Sequence, residues 1–129
     1  MADRDDLWAV GAKGVASAAL GASIQAIATP GVLYGIDGWT AETGPVYVGV
    51  FDSAAAVANA NPPLVWPKHI IEVATAGNFS LELPPTAENF KNGIWVAVSS
   101  TAFPNFTIST NADTHFNVRC GPLFGSGQP

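Results

Sequence analysis

Charge is what this chain has least of. Only 12% of its 129 residues are charged, and 5 Lys and Arg stand against 10 Asp and Glu, a net charge of −5. An ordinary soluble domain carries about twice that share. Arg4, Lys13, Lys68, Lys91 and Arg119 are scattered along the sequence. They form no basic stripe to neutralise phosphates, which argues against nucleic acid as a partner. The single Cys120 excludes an internal disulfide framework and any zinc site built from cysteines. Long apolar runs are also missing. Val15 to Ala28 comes nearest, but Ser17, Ser23 and Gln25 interrupt it and it is too short to cross a bilayer, so no membrane is expected. The acidic start Met-Ala-Asp-Arg-Asp-Asp lacks the basic and apolar plan of a secretory leader. The chain is therefore expected to be made in a cytoplasm, and kept there or assembled there into something larger.

Chemical signatures are equally scarce. His69 and His115 lie near no Gly-x-Ser-x-Gly elbow, so a serine-hydrolase triad is not indicated. Both read as surface or satisfied histidines. His69 and Glu72, three apart on a strand, face opposite sides and make no ligand pair. Asp37, Asp52, Glu72, Glu82, Glu88 and Asp113 show no clustering along the sequence, and Asp37-Gly38 and Asp52-Ser53 read as turn formers. Neither a calcium loop of alternating acids nor a phosphate-cradling glycine motif is present. Asn78-Phe79-Ser80 and Asn105-Phe106-Thr107 match the N-glycosylation pattern, but both Asn residues stand where turns need them. No catalytic residue, cofactor or metal is expected.

What the chain does have is apolar residues, 48% of the total, in short alternating phrases. Gly93 to Ser109 organises the rest. Ile94, Val96 and Val98 share one face and Trp95 and Ala97 the other, so this strand is dry on both sides. A turn at Ala102 to Asn105 precedes a second phrase, Phe106 to Ser109, which reads as a strand with one wet face. Val46 to Phe51 is likewise apolar on both sides, with Gly49 leaving room for a close neighbour. Ser23 to Thr29 fits a strand or a helix. Val32 to Ile36 reads as a strand ending at Asp37-Gly38, and Asp52 to Pro63 as a long loop or one weak helical turn. Leu64 to Pro67 is extended, on an edge or in a connection. His69 to Ala74 and Phe79 to Leu83, joined by a turn at Thr75 to Asn78, read as a hairpin. Residues 84–92 form a connection, Asn111 to Thr114 a polar turn, and His115 to Cys120 the last strand.

About seven or eight short strands without a confident helix predict an all-β fold, an antiparallel two-sheet sandwich or jelly roll. One domain at 23–120 is expected, with an extended N-terminal arm at 1–22 and a Gly/Pro-rich tail at 121–129. The arm carries Leu7, Trp8, Val10, Val15 and Leu20 among Ala and Gly, a poor helix and a poor strand. It reads either as a loose tail or as an arm docked on its own domain or a neighbour.

Several phrases in order carry a resemblance. They are Val32-Leu33-Tyr34-Gly35-Ile36-Asp37-Gly38, then Val46 to Phe51 followed by Asp52-Ser53-Ala54-Ala55-Ala56, the Asn/Pro loop, Phe79-Ser80-Leu81, and Asn92 to Thr101. Over about residues 30 to 118 this order resembles small virion structural proteins of tailed bacteriophages. The resemblance implies a small β-sandwich on a phage particle, non-enzymatic, of the capsid decoration or cement type. Its partners would be the major capsid protein and copies of itself as a homo-oligomer, and its place the capsid surface, after assembly in the host cytoplasm. The residues independently suggest that strands apolar on both faces need cover by another molecule. Leu7, Trp8, Val10, Val15, Leu20, Tyr47, Trp39 and Trp66 are the candidate partner-binding residues. The alternatives are a carbohydrate-binding or host-attachment module using Trp39 and Trp66, another neck or tail component, and a hydrolase with carboxylates on loops.

Overall fold

The computed structural model describes residues 13–17, 19–83 and 87–122. Among them are nine strands and no helix: β1 (Lys13–Ala16), β2 (Ser23–Ile27), β3 (Gly31–Thr40), β4 (Val46–Asp52), β5 (His69–Val73), β6 (Gly77–Glu82), β7 (Glu88–Phe90), β8 (Ile94–Ser99) and β9 (Thr114–Pro122). They form two antiparallel sheets packed face to face. A five-stranded sheet runs β1-β9-β3-β6, with β7 also paired to β3; a four-stranded sheet runs β2-β8-β4-β5. The two-sheet sandwich read from the sequence is the fold.

Period-two alternation builds the core between the sheets. Along β9, Thr114, Phe116, Val118 and Cys120 are buried, while His115, Asn117 and Arg119 are half-exposed on the outer side. From β4, Val46, Val48 and Val50 enter the same core as Ile94, Val96 and Val98 of β8. A bulge at Tyr34, between Leu33 and Gly35 in the pairing with β9, keeps both Leu33 and Ile36 directed inward. Each such side chain stabilises the fold by about 1.5–3 kcal/mol when fully buried.

A second core lies outside the four-stranded sheet. Phe51, Trp95, Ala97 and Phe106 are buried there, with Val57, Val65, Phe103 and Ile108 packed against them. The cover comes from the chain itself, from the segments 53–68 and 100–110. Phe106 sits 5.1 Å from Phe51 between ring centroids, and edge-on to Trp95 at 6.1 Å. Phe103 stacks on Phe106 at 5.7 Å. Phe103 comes so close over Gly49 that a Cβ there would lie 3.1 Å from its ring, the close neighbour that glycine was expected to admit.

Hydrogen bonds pin both covering segments. Ala60 and Phe106 exchange backbone bonds of 3.1 and 2.9 Å. Asn59 Oδ1 accepts from the Ile108 amide at 2.8 Å, and Ser99 Oγ accepts from Thr107 N at 3.2 Å. Gln25 Nε2 donates to the carbonyls of Ile27, Ser53 and Ile94 at 2.9–3.0 Å.

Several expectations are corrected. The two dry strands do not require another molecule, because the chain folds two of its own segments over them. Phe106 to Ser109 is no ladder strand: it makes only isolated bridges, Phe106 to Ala60 and Ile108 to Ser99. The segment 69–83 is no hairpin, since β5 pairs with β4 and β6 with β3 in the other sheet. The crossing turn ends at Gly77, whose φ of +153° suits glycine. Asp37-Gly38 is no turn but the middle of β3, which continues to Thr40. β7 lies inside the expected connection 84–92. The ambiguous Ser23 to Thr29 is a strand over Ser23–Ile27. Part of the expected arm is sheet: β1 pairs along β9, Val15 opposite Val118.

Candidate functional site

The outer face of the five-stranded sheet presents side chains in ordered rows. Register places Trp39 between His115 and Asn78, Asp37 between Asn117 and Ser80, and Gly35 between Arg119 and Glu82. Directly paired side chains stand about 5 Å apart, and successive rows about 7 Å. The first two rows line an open groove of about 550 Å³ formed by Asp37, Gly38, Trp39, Asn78, Phe79, Ser80, His115 and Asn117. Trp39 is 42% exposed there. The third row closes one end. Arg119 reaches over the bare Cα of Gly35 and donates to Asp37 Oδ2 and Glu82 Oε2, each at 3.1 Å.

A second feature lies across the molecule. Trp66 packs edge-on against Phe103 at 6.2 Å, and Phe103 lies over Gly49, the β4 residue paired with Ile70. Trp66 and Ile70 therefore share the outer flank of the four-stranded sheet. They are 53% and 43% exposed, and Leu64, two residues before Trp66, is 96% exposed. This is an apolar surface with edge strand β5 at its border.

Four groups of acids find neighbours that their spacing did not show, correcting the impression that the carboxylates stay apart. Asp37 and Glu82 share Arg119, as above. Glu88 is bonded by His69 and by Lys68 Nζ at 3.1 Å. Partial burial works against Glu88 ionising, but these two partners outweigh it and hold its carboxyl below the usual value. Glu42 is buried, and accepts from Ser109 Oγ at 2.6 Å and Asn111 Nδ2 at 3.4 Å. Burial, then the neighbouring Glu42 carboxylate, push the Asp113 carboxyl up. Asp113 Oδ1 is buried without a hydrogen-bond partner among the described residues. Asp52 accepts from the amides of Asn92 at 2.8 Å, Lys91 at 3.1 Å and Gly93 at 3.4 Å. Burial opposes its ionisation, but those three donors together prevail and lower its carboxyl. Asp52 thus shapes a turn, though one forty residues away in sequence.

The candidate partner-binding residues separate. Trp39 is exposed on the five-stranded sheet and Trp66 on the segment that covers the four-stranded sheet, so they form no common platform. Leu20 is 48% exposed beside the start of β2. Tyr47 is half-buried on the outer face of β4, between Glu72 and Ser99. Val15 packs partly buried against the main core, turned toward its own subunit. Leu7, Trp8 and Val10 lie outside the described residues. Leu64 and Ile70 were missed, although a bare Leu after Pro62-Pro63 and an Ile alternating out of phase with Ile71 were visible signals. No family model, no curated protein and no solved structure matches the chain.

Proposed function

We propose that this chain is a non-enzymatic virion structural protein, a decoration or cement protein that binds the outer surface of a bacteriophage head and bridges major capsid protein subunits. The observation that carries this reading is the exposure of Leu64, Trp66 and Ile70 on the flank of the four-stranded sheet. The phrase order over about residues 30 to 118 supports the phage setting. Cementing needs shape fit and apolar burial across joints between shell subunits, and no chemistry. Many small contacts repeated over a shell then sum. Aromatic and aliphatic side chains exposed together are the residues that anchor such contacts.

Electron microscopy of purified particles tests the proposal. Density for the sandwich is expected on the head, with the Leu64–Trp66 loop against the shell. A variant carrying Leu64→Ser and Trp66→Ser is expected to fold and to leave the head sites empty. Finding the protein on the tail, or not on the particle, overturns the cement role.

A further inference from the structure

Several polar side chains elsewhere in the molecule hold it together. Asp52, Gln25, Asn59, Ser99 and Glu42 each bond a turn or a covering segment. The groove around Trp39 is different. Asn78, Ser80, His115 and Asn117 line it, and none is seen donating or accepting a side-chain hydrogen bond within the described residues. Asp37 gives only Oδ2 to Arg119. A wide aromatic surface is thus ringed by unengaged donors and acceptors, on a backbone fixed by ladders on both sides of β3.

We propose that this groove binds a neutral hexopyranose residue of a glycan, with Trp39 as the stacking surface. One face of a pyranose ring is a patch of C–H groups, which an indole covers and desolvates. Its rim is hydroxyls, each both donor and acceptor. Asn and Ser side chains and a His ring offer both roles, and an ionised Asp accepts. Rows about 5 Å and 7 Å apart match one sugar ring with its hydroxyls. The volume of about 550 Å³ lies in the range of about 300–1,000 Å³ usual for small-molecule sites.

The charge pattern selects among sugars. Arg119 is the one cation at the groove's end among the described residues, and two carboxylates already neutralise it. Asp37 and Glu82 repel a carboxylate or phosphate, which disfavours sialylated, uronic and nucleotide ligands. An extended peptide adding as a strand would use the outer edge of β6, whereas the groove lies on the face of the paired strands. The site is on the sheet opposite the apolar flank, so occupancy of one leaves the other free.

The test uses the isolated full chain, so it reads independently of any shell. It is applied to an array of neutral and sialylated oligosaccharides, and the best neutral binder is then titrated calorimetrically. Neutral hexose chains are expected to bind with about millimolar affinity. Trp39→Ala is expected to weaken binding at least about tenfold, and Asn78→Ala or Asn117→Ala about two- to tenfold each. Trp66→Ala is expected to match the parent. All four positions are at least partly exposed, so denaturation midpoints should stay near the parent's and confirm folding. Absence of neutral-glycan binding, binding of sialylated chains alone, or equal loss in Trp39→Ala and Trp66→Ala overturns the proposal.

Discussion

Replacing Phe106 by Ala tests whether the chain truly roofs its own four-stranded sheet. Phe106 is fully buried and meets Phe51, Trp95 and Phe103 at ring-centroid distances of 5.1, 6.1 and 5.7 Å. Losing the transfer free energy of the ring costs about 1.5–3 kcal/mol. The cavity left among three rigid aromatics adds to this, which brings a buried Phe→Ala change to about 3–5 kcal/mol. For a domain of this size that is a large share of a total stability of about 5–15 kcal/mol. The urea midpoint should fall by about 2 M, from a slope of about 2 kcal/mol per molar. Melting should drop by about 10–20 °C. Tryptophan fluorescence suits the assay, because Trp95 is 3% exposed and touches the altered site. Trp66→Ala, on the same covering segments but 53% exposed, should cost no more than about 1 kcal/mol. A loss below about 1 kcal/mol for Phe106→Ala would refute the self-roofing argument. It would return the outer face of β8 to the surface available for another molecule.

Other expectations follow from the polar groups. Because the Asp113 carboxyl is raised by burial and then by Glu42, its favourable contribution is present in acid and lost as pH rises through its folded value. Asp113→Asn should therefore raise the denaturation midpoint near neutral pH and change it less in acid; a lower neutral midpoint contradicts the assignment. Asp52 and Glu88 are lowered, so their contribution is present above the ordinary carboxylate range and lost as pH falls through their folded values. Asp52→Ala should cost about 2 kcal/mol near neutral pH by orphaning the amides of residues 91–93, and the deficit should shrink in acid; a constant deficit across pH argues against it. Cys120 is 0% exposed, so a thiol reagent should label it only on unfolding; rapid labelling of the native chain would misplace β9.

The alternation of Phe116 and Val118, or of Val46, Val48 and Val50, was enough to place strands and their inward faces, because that signal is local. Sheet membership was not local. Phe79 and Leu81 can face the core from either sheet, and nothing near Gly77 announces that the chain changes sheets there. Trp95 and Ala97 showed that β8 is dry on both sides, but dryness does not name the cover. The cover comes from Asn59 and Ala60, inside a segment that reads as a long loop or weak turn, and from Phe103 and Phe106, in a turn and a phrase that read as a further strand. The groove was hidden for a related reason. Asp37-Gly38 looks like a turn, and only pairing on both sides carries β3 onward to bring Trp39 into line with His115 and Asn78.

A strand with one wet face resists sliding because a slip drags oily residues into water. β8 lacks that safeguard, being buried on both faces. Its alignment with β4 instead matches bulk to bulk: Gly49 stands opposite Ala97, Val50 opposite Val96, and Phe51 opposite Trp95. Sliding by one position would trade an indole for a valine between two tightly filled compartments. Sliding by two would drive that indole onto Gly49, where Phe103 already sits. Side-chain volume thus acts as the ratchet that fixes the centre of this sandwich, and substitutions that even out those sizes are the ones expected to let it creep.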